Sequence, residues 1–434
     1  MSASDAYTTA SKKPGTDCNG SVQPCPAKGS KCAVEFRPKD DWKGEYGFDW
    51  LRVGGTGEKQ GEEAYKDILT GGYKKGSTRG YTPTEAYGLL KGEYKGDIKA
   101  IKLQSGELHE YFVPYLNLYP KNTPGTPTPP FEAELKILTT VKENSPEKIE
   151  LEYNTAYFTL NKETLSDKAV GNKRVSLETL KITCIAEYVT PQQIKAWSLF
   201  EGTRILAGII KLPPNSSLNR RELKLVLIDV KTYFNDQPGN ISEEELRHLH
   251  NTLHQVLIHV TIEYASLDLT DDKEFRINGQ FIYKHIGPPF KTFYGTWIQD
   301  RGLVEDRNMF QHIRKTFFSE PKYKKYESEK YFTIFCFNHF SLTHAEAKNE
   351  APGVQNVVLF TNTGGPRLPG ILSHEVLHGL GLHHTHKQPG PILEEMKYLF
   401  KEGKTDNIMS YNDRSLLATW RWQWEIIRKH LPVR

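Results

Sequence analysis

Residues 120–130, PKNTPGTPTPP, place prolines at Pro120, Pro124, Pro127, Pro129 and Pro130. Proline fixes φ and lacks a backbone N–H, so neither a helix interior nor a central strand can run through this stretch. A linker of extended, stiff backbone is expected, and with it a boundary in the chain. Upstream, AVEF, GFDWLRV, GDIKAIKL and HEYFVPYLNLY set β-branched and aromatic residues between glycines, the pattern of a small β-rich module over 34–119. Residues 1–33 are poor in apolar residues and rich in turn formers, which predicts a flexible leader. Downstream, FEAELKILTTV, KIELEYNTAYFTL, SLETLKITCIAEYV and ILAGIIKL alternate apolar and polar residues, which predicts antiparallel strands in a sandwich-like module over 131–221.

The pattern changes after LPPNSSLNRR. LKLVLIDV, residues 223–230, is an apolar run of strand length, and ISEEELRHLHNTLHQVL follows with helical spacing of Leu246, Leu249, Leu253 and Leu257. Ser242 and Glu245 supply a capping box at its start. VTIEYASLDL, YFTIFCFNHF and VQNVVLFTN read as further strands, and residues 302–318 as a helix. The expectation is therefore a multidomain chain: a β-rich, sandwich-like N-terminal half, then a mixed α/β domain over 222–434. A length of 434 residues agrees with more than one core. Residues 34–220 hold no chemical constellation, so binding or delivery is expected of that half. VQNVVLFTN is a candidate edge strand for pairing with an extended peptide.

Composition excludes several classes. With 37% hydrophobic and 25% charged residues the chain is expected to be soluble and globular. A net charge of +4 from 57 basic and 53 acidic residues leaves no basic field for nucleic acid. No stretch approaches the roughly 20 apolar residues of a membrane helix. The N-terminus lacks the basic-then-apolar run of a secretory signal, so the chain is expected to be made in the cytoplasm and to leave it, if at all, by a signal-independent route. The five cysteines, Cys18, Cys25, Cys32, Cys184 and Cys336, are an odd number and do not describe a disulfide framework. The seven-residue spacing of the first three matches no common zinc knuckle, so they read as free thiols or one disulfide in a mobile tail.

The chemistry concentrates in HEVLHGLGLHHTH, residues 374–386. Pro369 suits an opening turn, and ILSHEVLHGL favours helix until Gly379 and Gly381. His374 and His378, four apart, project from one face of such a helix and can share an ion. Glu375 falls on the adjoining flank, beside the ion without needing to bind it. Gly381 can adopt a left-handed conformation that turns the chain back, so that His384 returns to the same ion and completes HExxHxxGxxH. Three neutral imidazoles leave a fourth tetrahedral position of a zinc ion open to water, the catalytic arrangement. Zinc lowers the pKa of such a water from about 15.7 to near 7, and Glu375 can take its proton and hand it to a leaving amine. His383 and His386 read as bystanders, His386 reaching the ion only with a different turn after Gly381. His250 and His254 also stand four apart, but without a third ligand nearby in sequence they read as a solvated helix face.

The stretch resembles the zinc-binding consensus of the metzincin metallopeptidases. That family also carries a tight turn with a methionine, which DNIMSY, residues 406–411, matches at Met409. The resemblance implies that Met409 supports the site without binding zinc, and that Tyr411 is a displaceable ligand or an oxyanion donor, as in the astacin and serralysin branches. Thr385, after the third histidine, assigns no branch. It implies an α/β metzincin-like fold over residues 222–434 and a zinc endopeptidase acting on a protein or peptide substrate. CPAKGSKCAVEFRPKDDWKGEYGFDWLRVG, residues 25–54, resembles the front end of large bacterial proteins associated with contact-dependent, type VI-like secretion. That resemblance implies a secreted effector whose C-terminal enzyme is toxic, with a secretion-apparatus component and a specific inhibitor as partners. The alternatives are a housekeeping protease exported by another route, and a non-catalytic binding or assembly protein of a secretion system.

Overall fold

The structure is a computed structural model. It describes the chain except residues 1–28, 55–62, 97, 99–100, 103–107, 233–238, 273, 276–292, 295–297, 300–301, 304–306, 329, 340, 342–346, 361–366, 389, 412–415 and 432–434. It is rich in strand with a few helices. Most of the leader expected over residues 1–33, with Cys18 and Cys25, lies outside the described residues.

The first half contributes ten strands to two sheets. They are β1 (Lys31–Pro38), β2 (Gly47–Asp49), β3 (Tyr115–Asn117), β4 (Glu132–Glu143), β5 (Lys148–Glu152), β6 (Phe158–Leu160), β7 (Thr164–Leu165), β8 (Gly171–Cys184), β9 (Gln192–Phe200) and β10 (Thr203–Leu212). One sheet has the order β1-β4-β8-β6 and the other β7-β5-β9-β10-β3-β2. Pairing is antiparallel except between β10 and β3. The expected alternation is visible in β5, where Ile149 and Leu151 are buried and Lys148 and Glu152 exposed. Val34, Phe36, Leu135 and Ile137 from one sheet share a core with Ile149, Ile194, Ile210 and Leu212 from the other.

The boundary expected at 120–130 does not separate two modules. β1 pairs with β4 from Lys31 to Pro38, and β3 pairs with β10, so residues 34–119 and 131–221 build the same two sheets. The proline segment is tied down rather than free, with Tyr119 donating to the Pro130 carbonyl and Lys121 to that of Cys184. Cys32 belongs to β1 and is buried and unpaired, as are Cys184 and Cys336.

The second half centres on a five-stranded sheet. Its strands are β11 (Arg221–Thr232), β12 (Ile258–Leu269), β13 (Tyr331–Phe337), β14 (Ala347–Asn349) and β15 (Asn356–Leu359), in the order β12-β11-β13-β15-β14. All pair in parallel except β14, which runs antiparallel to β15. β15 is therefore interior, and β14 is the edge: the VQNVVLFTN segment is not the edge strand expected of it, because Ala347–Asn349 covers its outer side. Alternate residues of β11 face opposite cores. Leu223, Leu225 and Leu227 join one, while Val226, Ile228 and Val230 join the other. A parallel strand covered on both faces reads as such a continuous apolar run.

Five helices of eight or more residues are described: α1 (Pro83–Glu93), α2 (Glu243–His254), α3 (Arg307–Ser319), α4 (Gly370–Gly379) and α5 (Arg421–Lys429). The capping box at α2 forms as expected, with Ser242 Oγ accepting from Glu245 N and Glu245 Oε2 accepting from Ser242 N. α1 has the same device at Thr82 and Glu85 and falls where only strands were expected. None of the described helices is long and apolar enough to cross a membrane.

Residues 222–434 do not close a core by themselves. Tyr65, Ile68, Leu90 and Tyr94 pack into the core that holds β11, α4 and Met409. A short strand at Leu69–Gly71 pairs with another at Leu399–Phe400. Arg52, fully buried, donates through Nη2 to both carboxylate oxygens of Asp406 at 3.1 and 2.9 Å.

Candidate metal centre

α4 starts after Pro369 and ends where its geometry forces it to. Leu380 N–H bonds back to the Val376, Leu377 and His378 carbonyls, and Leu382 N to Leu377 O at 3.0 Å. Between them Gly381 adopts φ +85°, a left-handed conformation that only glycine takes without strain. A Cβ there would also meet the His430 ring at 2.5 Å. The turn thus demands glycine twice, and it sends the chain back past the helix face it has just left.

The result is the convergence that the spacing predicts. His384 Nε2 lies 3.0 Å from His374 Nε2 and 3.1 Å from His378 Nε2. The three are the one group of metal-capable side chains among the described residues whose ligand atoms all lie within 4.8 Å of one another. The outer nitrogens of two of them are committed elsewhere. His374 Nδ1 donates to Ile408 O at 2.8 Å, and His378 Nδ1 to Leu382 O at 2.7 Å. A carbonyl only accepts, so both rings carry their proton on Nδ1 and turn lone pairs inward at Nε2. His384 can donate to only one of them. Burial makes proton sharing harder still: it lowers the pKa of His374 to about 4 and that of His384 to about 3, and holds that of His378 well below the ordinary value. Three neutral imidazoles with converging lone pairs fit a divalent cation. Zinc–nitrogen bonds of about 2.0–2.1 Å at tetrahedral angles put donor atoms about 3.3–3.4 Å apart, a few tenths of an ångström wider than these.

Glu375 occupies the flank expected of it. Its Oε2 accepts from the backbone N–H of Asn349, on the edge strand β14, at 2.6 Å. Asn349 is itself fixed, donating through Nδ2 to Val354 O and Asn356 O. Burial pushes the Glu375 carboxyl up to about 7, against the Asn349 N–H and the Lys348 charge, which both lower it.

The turn at Met409 packs beneath this group through hydrogen bonds. Asn407 Oδ1 accepts from Met409 N at 2.9 Å, and Met409 O accepts from Thr385 N at 3.0 Å. Ile408, next to Met409, supplies the carbonyl that orients His374. Met409 itself is fully buried. The Tyr411 ring is 47% exposed and stands 4.5 Å from His384 and 5.7 Å from His374, centroid to centroid. Burial raises its hydroxyl pKa, with Glu375 and Glu402 adding to the effect.

His383 and His386 are outside the convergent group, in agreement with the bystander reading. His386 is nonetheless close, stacked on His384 at 5.1 Å and 4.9 Å from Tyr411. His248, not singled out in the sequence, joins Ser373 Oγ at 2.8 Å and Leu416 O at 3.0 Å, bracing α4 next to His374. Nothing in its spacing signals that role, since both partners lie more than a hundred residues away. His250 and His254 overturn the expectation of a solvated face: they are only 6% and 2% exposed.

No known family's sequence profile matches the chain, and no curated protein matches it either.

Proposed function

We propose that the chain is a zinc-dependent endopeptidase of metzincin type, with His374, His378 and His384 holding the metal and Glu375 acting as general base. The observation that carries the reading is the convergence of three Nε2 atoms, two of them on rings tied off at Nδ1, beside a partly buried carboxylate. Zinc held there would supply Lewis acidity toward water and the scissile carbonyl. Glu375 takes the proton of the attacking water and delivers it to the leaving nitrogen, so that one water is consumed and a carboxylate and an amine are released. The Asn349 N–H holds the carboxylate in place without neutralising it. Tyr411, whose partly exposed ring lies beside His384, is the donor to the oxyanion of the tetrahedral intermediate in this reading. An extended peptide pairs along the outer edge of β14, which brings its backbone past Glu375.

The biological reading is a secreted bacterial effector whose enzyme acts in a recipient cell. It rests on the likeness of residues 25–54 to the front end of type VI-like secreted proteins, and on the extensive strand surface that precedes the enzyme. Glu375→Gln tests the chemistry. The variant should keep its zinc and lose at least about 100-fold in peptide hydrolysis, the lower bound for a lost general base. Hydrolysis at the wild-type rate would remove Glu375 from the reaction. Expression of both forms in a recipient tests the effector role, toxicity being expected of the wild type alone.

A further inference from the structure

The contact between the two-sheet half and the five-stranded sheet is built around the C-terminal end of α2. Gln255, fully buried, donates through Nε2 to Gly44 O and Leu417 O, and its Oε1 accepts from Thr419 N. Its carbonyl accepts from Asn117 Nδ2, and Gly47 lies so close that a Cβ would meet the Gln255 oxygen at 2.3 Å. Next to this hub lies a second histidine cluster. The His254 ring is stacked against His259, near the start of strand β12, at 6.5 Å and 10°, and sits 5.9 Å from His250. Tyr119, from the segment after β3, meets His254 edge-on at 5.4 Å. Gly125 of the proline segment covers His259, its Cβ position 2.7 Å from the ring.

Four polar atoms of the cluster are enclosed and unanswered. His250 Nδ1, His254 Nε2, His259 Nδ1 and Tyr119 Oη are all shielded from solvent without a hydrogen-bond partner among the described residues. Buried polar groups are ordinarily paired, and an unpaired imidazole in such a place is tolerable only while neutral. The rings lie farther apart than those of the metal centre and do not bring three ligand atoms together. Of the charges around the cluster, Arg220 and Arg428 act on Tyr119 and Arg221 on Arg428, while Glu222, which faces His259, favours protonation of that ring. The C-terminal end of α2 favours a cation at His254, but burial outweighs it. Burial first, then the neighbouring histidines, lower the pKa to about 4 at His250 and about 3 at His254, and burial also lowers that of His259.

We propose that His250, His254 and His259, with Tyr119, form an acid-operated latch at the junction of the two halves: closed while the imidazoles are neutral, released when they are protonated. The sign follows from the protons bound. An exposed histidine titrates near 6.5, and these take up protons only below that, so the closed form binds fewer protons than the open one. The closed form is fully favoured above about pH 6.5 and loses ground as the pH falls toward the lowered values. Opening at α2 also relaxes Leu417 and Thr419, which Gln255 holds on the segment after the Met409 turn.

Hydrogen exchange at pH 7.5 and 5.0, corrected for the intrinsic rate, tests the latch on the zinc-loaded protein. Peptides covering 115–125 and 247–262 should lose at least about tenfold more protection than 132–141 in the wild type, and the difference should shrink to less than about twofold in His254→Phe. Should that variant fail to fold, His259→Gln, altering a ring that is only partly buried, should cut the response at least about threefold. Uniform loss across the three regions, or an undiminished response in the variant, would overturn the latch. So would a response seen only after the metal is chelated, since that would assign the acid sensitivity to His374, His378 and His384.

Discussion

Replacing Gly381 with alanine isolates the turn that returns His384 to His374 and His378. The residue sits at φ +85°, where an L side chain costs about 1–2 kcal/mol. The new Cβ would fall 2.5–2.8 Å from three atoms of the His430 ring. That ring must swing away, which forfeits its Nδ1 bond to Ile426 O at 3.0 Å, a further ~0.5–1.5 kcal/mol. The total is about 1.5–3.5 kcal/mol, and at about 1.4 kcal/mol per tenfold it weakens zinc binding by at most roughly 10- to 300-fold if all of it falls on the site. Competition for zinc against a chromophoric chelator reads the affinity, and thermal unfolding of the metal-free protein reads whatever share the fold absorbs. Gly88→Ala is the control: its Cβ meets nothing within 4 Å on an exposed face of α1, so a gain of about 0.5–1 kcal/mol is expected. If Gly381→Ala bound zinc and unfolded as the wild type does, the left-handed turn would not be what places His384.

Removing Arg52 strands Asp406 and Asp49 without their buried cation. Arg52→Met should cost about 3–5 kcal/mol, read as a fall in unfolding temperature, and Arg52→Lys should rescue only part of it because a lysine cannot grip Asp406 with two hydrogen bonds. Glu35 is a buried carboxylate that burial alone would raise, but Arg37 and Lys173 beside it outweigh that and hold its pKa below the ordinary value. Its contribution is therefore present above the unfolded value of about 4.3 and is lost as pH falls through the folded one. Glu35→Gln should lower stability at pH 7 and flatten the acid limb below about pH 4.5, measured by unfolding across pH; an unchanged limb would place the acid sensitivity elsewhere.

The convergence of the three histidines was legible because its information is local. His374, Glu375 and His378 need only helical spacing, and His384 needs one glycine in a left-handed turn. The strands were legible for the same reason: two-residue alternation marks β5, and a continuous apolar run marks β11. Long-range pairing left no such trace. Nothing in KCAVEFRP says that β1 will lie against β4 across the proline segment, and nothing near Arg52 points to Asp406, 354 residues away. The error at VQNVVLFTN has the same root, since which strand is the edge depends on where Ala347–Asn349 pairs. His250 and His254 were misjudged because helical periodicity gives a face but not what covers it, and here the cover comes from Tyr119 and His259. Helix α1 could have been found, since Thr82, Pro83 and Glu85 spell a capping box with proline in the first turn.

These pieces place the three histidines at a meeting point of both halves. The Asp406–Tyr411 turn is anchored by Arg52, Thr385 and Gln423, which donates to Asn407 Oδ1. The measurement that tests the central claim most directly is the zinc content of the purified protein against that of His378→Ala and Glu375→Gln. One zinc per chain in the wild type and in Glu375→Gln, with loss of that zinc in His378→Ala, is the predicted result. Zinc retained undiminished in His378→Ala, or lost on changing Glu375, would contradict the assignment of ligands and base.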